Sequence, residues 1–225
     1  MSAEEKEGIG ALDRIELKAQ SPHELIEWFD DFYYKSYEDD MARIRKNAPA
    51  NFREFVRKFT ENVVPKEAKI LDICAGSGLF GLELQKLGYC NLNGHDGSVQ
   101  MLKMAEARKI YKKLYREILV ENKSSETMPK QFFDVLVALG AFGCPLTMNG
   151  KHLAGLVELI KPGGLMLLGL FKPRYDQQFS EQVSLLSQRC ALIGEETVDD
   201  YLWGRNKQTN EIVHEPGIFL AFRIF

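Results

Sequence analysis

One stretch, ILDICAGSGLFG at residues 70–81, constrains this chain more than any other. An apolar run ends in a glycine turn, and the turn opens straight into a helical pattern, LFGLELQKL. An apolar run without polar alternation reads as a strand buried on both faces, as in parallel sheets covered by helices. Gly76, Gly78 and Gly81 make a literal G-x-G-x-x-G. Such a turn lets a ligand approach the backbone N–H groups at a helix N-terminus. The pattern fits a dinucleotide or S-adenosylmethionine (SAM).

The rest of the chain predicts the fold around this loop. Residues 1–20 are charged and glycine-containing and are expected to be flexible, preceding a single domain over residues 21–225. Ser21, Pro22 and Glu24 stand as N-cap, first and third positions of a helix. Phe52, Phe55, Val56 and Phe59 recur at helical spacing, which predicts a second helix over 49–62. Residues 21–64 are thus a helical cap. From Lys69 onward strands and helices alternate: KILDIC, NLNGHD, REILVE, FFDVLVALGAF and LMLLGLF read as strands. A helix after the second strand is expected to run through SVQMLKMAEARKIYKKLY, and a late helix over 176–192. TVDDYLWGR and GIFLAFRIF should pair as an antiparallel hairpin, because no helix fits between them. The expected fold is α/β: a doubly wound, mostly parallel seven-stranded sheet with an antiparallel C-terminal strand hairpin and an N-terminal helical cap.

Two carboxylates decide between the ligands. Asp96 ends the second strand, where it can accept both ribose hydroxyls of either ligand. Asp72 lies inside the first apolar run, where an unpaired charge would be costly. It would attract the ammonium of SAM's methionine end and repel a pyrophosphate. Together with the C-terminal hairpin it favours SAM over NAD. Gly76, Ser77 and Gly78 would line the ligand, and Met101 would pack on adenine. Gly140 and Ala141 are small enough to admit adenosine and the reacting methyl after the fourth strand.

ILDICAGSGLFG and LNGHDGSVQML resemble motifs I and post-I of the class I SAM-dependent methyltransferases, and FDVLVALGAF and LIKPGGLMLL resemble that fold's later strands. YEDDMARIRKNAP, CAGSG and GHDGS are similar to the methyltransferase-like protein 27 group. The resemblance implies SAM as methyl donor and S-adenosylhomocysteine (SAH) as product. It implies Tyr37 near the methionine carboxylate, Ala75 where a glycine is usual, and Gly97 and Ser98 beside the ribose strand. Tyr33 takes a position where the family tends to carry tryptophan, and Ser124 or Ser125 falls where relatives bring a side chain to the adenine amine.

The exclusions are chemical. A net charge of −3 offers no basic field for nucleic acid. Cys74, Cys90, Cys144 and Cys190 form no CxxC pair, and no His/Cys spacing suits a metal. The N-terminus lacks a signal-peptide core, and GGLMLLGLF is too short to span a membrane, so a soluble cytoplasmic protein is expected. The basic run RKIYKKLYR reads as a solvated face. No Asn/Asp-Pro-Pro-Tyr follows the fourth strand, and no dedicated catalytic residue stands out; His214 is the weak candidate base. The expected activity is direct in-line methyl transfer to a small molecule, with a protein acceptor left open. The alternatives are a SAM/SAH-binding module without transfer and an NAD-dependent oxidoreductase.

Overall fold

The computed structural model describes residues 19–142, 146–205 and 212–225. The expected flexible N-terminus and Cys144 therefore fall largely or wholly outside the described residues. A seven-stranded sheet runs in the order β3-β2-β1-β4-β5-β7-β6. The strands are β1 (Ile70–Ile73), β2 (Leu92–Asp96), β3 (Tyr111–Arg116), β4 (Phe133–Leu139), β5 (Ile160–Phe171), β6 (Cys190–Arg205) and β7 (Ile212–Ile224). β1 to β5 pair in parallel, and β7 enters antiparallel between β5 and β6. This is the expected doubly wound sheet with its C-terminal hairpin.

The helical cap begins with α1 (Pro22–Asp31). Ser21 Oγ accepts from Glu24 N while Gln20 N donates to Glu24 Oε2, so the expected cap is in place. α2 (Tyr37–Ile44) and α3 (Ala48–Thr60) follow. α3 presents Phe52, Phe55 and Val56 to one face of the sheet, where they pack with Ile70, Val135, Leu167 and Phe219. Its neighbour there is α4 (Leu79–Lys86), the helix opened by the glycine loop. The other face packs Leu71, Ile73, Leu136 and Leu168 under α6 (Leu153–Val157) and α7 (Gln177–Leu185). β1 therefore alternates between two cores, and Asp72 points to the same face as Ile70, toward α3 and α4. Burying each Phe or Leu of these cores contributes about 1.5–3 kcal/mol.

Two expectations are corrected. The helix after β2, α5, covers only Val99–Ala107. Lys109 takes φ +57, which ends it, and Tyr111–Arg116 is the third strand instead of REILVE. Ile110, Tyr111, Leu114 and Tyr115 satisfy a helical stripe on paper, but pairing with β2 overrides it. The basic run is accordingly a turn and a sheet edge, with Lys112 and Lys113 exposed on β3. The late helix stops at Leu185, because Cys190 onward pairs with β7.

Candidate functional site

The parallel strands end at one rim, and the glycine loop turns there. Cys74, Gly76 and Gly78 take φ of +53, +56 and +87. The left-handed position that glycine would suit is thus Cys74 and not Ala75, which corrects the sequence reading by one residue. Gly76 is required for space as well: a Cβ there would stand 2.8 Å from Tyr37 Oη. Tyr37 comes from the start of α2, so the cap lies directly on the loop.

A cavity opens between the loop and the cap. Of the expected residues, Tyr37, Gly76, Asp96, Gly97, Met101, Gly140 and Ala141 line it. Leu25, Phe29 and Tyr33 of the cap roof it, and Ile118 and Leu119 after β3 close one side. Tyr33 stacks on Trp28, ring centroids 4.6 Å apart, which joins two residues of the cap. Asp72 and Ala75 line a second, adjoining cavity that shares Tyr37, Arg45 and Cys74 with the first. Ser77, Gly78 and Ser98 line neither cavity. Gly78 turns the chain into α4, and Ser98 caps α5 by accepting from Met101 N at 3.1 Å. Ser77 Oγ is buried without a hydrogen-bond partner, while its carbonyl accepts from Arg108 Nε at 2.6 Å.

The two carboxylates are held differently. Asp96 Oδ2 accepts from Gly76 N and Oδ1 from Ser98 N, each at 2.9 Å. Burial raises its pKa, and these backbone donors oppose the rise. Asp72, 2% exposed, accepts from the Tyr111 hydroxyl at 2.7 Å. Burial pushes its pKa up to about 7, against the pull of that hydrogen bond. His95 is held neutral, its pKa lowered to about 4 by burial. Burial likewise raises Tyr37 to about 12.

Several residues that matter here are not singled out by the sequence. Arg45 stands at the junction of the two cavities, its guanidinium carbon 2.5 Å from where a Gly140 Cβ would be. Its Nε is buried with no hydrogen-bond partner. Arg108, read as part of a solvated face, instead joins the loop carbonyl of Ser77 to Glu38 of the cap. Asp30 accepts from Ser98 Oγ, Val99 N and Gln100 N, tying the cap to the N-terminus of α5. The signal for Tyr111 is Gly94, a glycine inside a strand. Ser124 and Ser125 turn to Glu158 and Glu117 and line neither of these cavities. His214 sits exposed on β7 with Nδ1 2.9 Å from Asp200, also apart from the cavity lining. Among the described residues no group of His, Cys, Asp and Glu could hold a metal ion. No helix among them is long and apolar enough to cross a membrane.

Residues 70–164 match the family model described as a methyltransferase domain. The chain thus carries a methyltransferase domain on the class I methyltransferase fold. Human methyltransferase-like protein 27 is 26% identical over 195 residues, covering 82% of this methyltransferase and 76% of the human chain. Among solved structures, the CurJ carbon methyltransferase superposes with a TM-score of 0.58 at 13% identity, covering 95% of this chain and 63% of its own. A TehB-like SAM-dependent methyltransferase from Corynebacterium glutamicum gives 0.55 at 17% identity, covering 85% and 97%. At such identities these structures show the fold.

The residues fit the methyl donor. The space a Cβ would take at Gly76 holds Tyr37 Oη and that at Gly140 holds the Arg45 guanidinium, so both glycines bring polar groups close to the rim; the buried Arg45 Nε and one oxygen of Asp72 have no hydrogen-bond partner among the described residues. One cation and one carboxylate facing adjoining spaces suit a zwitterionic amino-acid end.

Proposed function

We propose that this methyltransferase acts on a small molecule by direct in-line transfer. The observation that carries the reading is the roof. Leu25, Phe29 and Tyr33 close the cavity over Gly140 and Ala141, which suits a compact acceptor better than an extended polymer. A net charge of −3 also disfavours a polyanionic acceptor.

When bound, SAM supplies an electrophilic methyl group on a sulfonium. In this reading Asp72 receives the ammonium, and Arg45 with Tyr37 receives the carboxylate. Asp96 accepts the ribose hydroxyls with the lone pairs left over from Gly76 and Ser98. Met101, Gly97 and Ile118 hold the adenine end, Gly140 makes room for the Arg45 guanidinium, and Ala141 leaves room toward the methyl. Burial keeps the Tyr33 and Tyr37 hydroxyls protonated, so neither acts as a base near neutrality. His214 and Asp200 stand outside the lining. The chain's contribution is then orientation and exclusion of water, and the acceptor must bring its own nucleophile.

Calorimetric titration with SAM, SAH and NADH, followed by tritiated-methyl transfer into fractionated cell extract, tests this. SAM and SAH should bind and NADH should not, with label entering the low-molecular-weight fraction. Label confined to protein overturns the small-molecule acceptor. SAM binding with no label in any fraction favours a binding module instead.

A further inference from the structure

The third glycine of the loop motif and the glycine inside β2 share one neighbour, the Tyr111 ring. A Cβ on Gly81 would lie 2.7 Å from Tyr111 Cζ and from Ile110 Cδ1, and one on Gly94 would lie 2.7 Å from Leu114 Cδ2 and 3.2 Å from two atoms of the Tyr111 ring. In the sheet register Gly94 stands directly beside Asp72. Gly94 leaves a gap on the α4 face of the sheet, between β3 and β1, and Leu114 and the Tyr111 ring fill it. The ring starts on the edge strand, crosses β2 and delivers its hydroxyl to Asp72 Oδ2. Asp72 Oδ1 accepts no hydrogen bond among the described residues, and Asp72 lines the cavity shared with Tyr37 and Arg45.

We propose that Tyr111 is a positioning residue for the methyl-donor site: its hydroxyl fixes one oxygen of Asp72 so that the other meets the ammonium of the methionine end as a carboxylate. This rests on the reading of Asp72 given above. A buried carboxylate is otherwise driven to take up a proton, and a protonated Asp72 loses its attraction for an ammonium. The groups facing Asp72 are Tyr111 from β3, Asp96 from β2, and Tyr37 and Cys74 across the cavity. Arg108 lies behind Tyr111. Arg45 is near Tyr37, and the cavity mouth carries Glu38, Asp39, Lys46, Glu83 and Lys86. Among the described residues only the Tyr111 hydroxyl donates a hydrogen bond to the Asp72 carboxylate.

The test compares SAM with 5′-methylthioadenosine, which shares the nucleoside and lacks the amino-acid end. Affinities are measured from about pH 6 to about pH 7.5, where SAM's α-amino group remains largely charged. In the unaltered chain the preference for SAM over methylthioadenosine should shrink as pH falls, because Asp72 takes up a proton. Tyr111→Phe should move that acid limb upward and weaken SAM about 5-fold near pH 7, since a rise of about one pKa unit takes the ionised fraction there from about a half to about a tenth. Methylthioadenosine should bind the variant as it binds the unaltered chain. Equal losses for both ligands at every pH mean that Tyr111 only supports the loop, and overturn the proposal. Should Tyr111→Phe fail to fold, the unaltered chain still decides: a SAM preference that stays flat with pH overturns it. Failure of the unaltered chain to bind SAM at any pH would instead remove the reading of the site itself.

Discussion

β1 and β2 lie side by side and end at the same rim, and each contributes a buried carboxylate. Asp96 rests on the backbone N–H groups of Gly76 and Ser98, donors that the glycine loop and the start of α5 supply by their course alone. Asp72 rests on one phenol carried in from the edge of the sheet. The pKa of Asp72 reaches about 7. Burial raises both pKa values; at Asp96 backbone donors that come with the fold oppose the rise, and at Asp72 one side-chain donor opposes it.

The largest effects should separate the two carboxylates by sign. Asp96→Ala should weaken SAM by about 2–3 kcal/mol and also lower thermal stability, since it leaves two buried N–H groups unpaired at about 1–3 kcal/mol each. Calorimetry and thermal unfolding measure both, and unchanged unfolding would break the contrast. Asp72→Asn should weaken SAM by about 1–2 kcal/mol, yet stabilise the free chain at pH 8 by about 1–3 kcal/mol, because no charge is then buried.

The pH dependence follows from the same residue. The folded-state pKa of Asp72 lies above its ordinary value of 3.8, near 7. The folded state therefore holds the proton more tightly. Its contribution to stability is full below the ordinary value and is lost as pH rises through about 7. Urea midpoints of the ligand-free chain should fall across that window, and the difference between the unaltered chain and Asp72→Asn should grow. A constant difference would remove the titration from Asp72. The smallest effect belongs to the loop between the carboxylates. Cys74→Gly relieves a left-handed cysteine but adds unfolded-state freedom, for a net gain of about 0.5 kcal/mol in denaturant midpoints.

The same contrast governs what the sequence discloses. Asp96, the glycine loop, the Ser21 and Ser98 caps and the C-terminal hairpin are legible because each depends on neighbours in the chain. Tyr111 is not: its ring and Leu114 also satisfy a helical stripe, and only pairing with β2 turns them into a strand. Arg45 and Asp30 act across 95 and 68 residues, on Gly140 and Ser98, and no local spacing announces such contacts. Cys74 is hidden for a different reason: the resemblance puts the missing glycine at Ala75, whereas the left-handed turn falls one residue earlier, on a cysteine.

Gly81, Gly94 and Tyr111 make a single heritable unit. Two glycines on different elements lie against that one ring, Gly81 also against Ile110 and Gly94 also against Leu114. A lineage that kept the tyrosine could not enlarge either glycine without displacing the ring. One that lost the ring would still have to move Ile110 or Leu114 before either glycine could change. The order in which those substitutions arise is thereby set by a gap in the middle of a sheet.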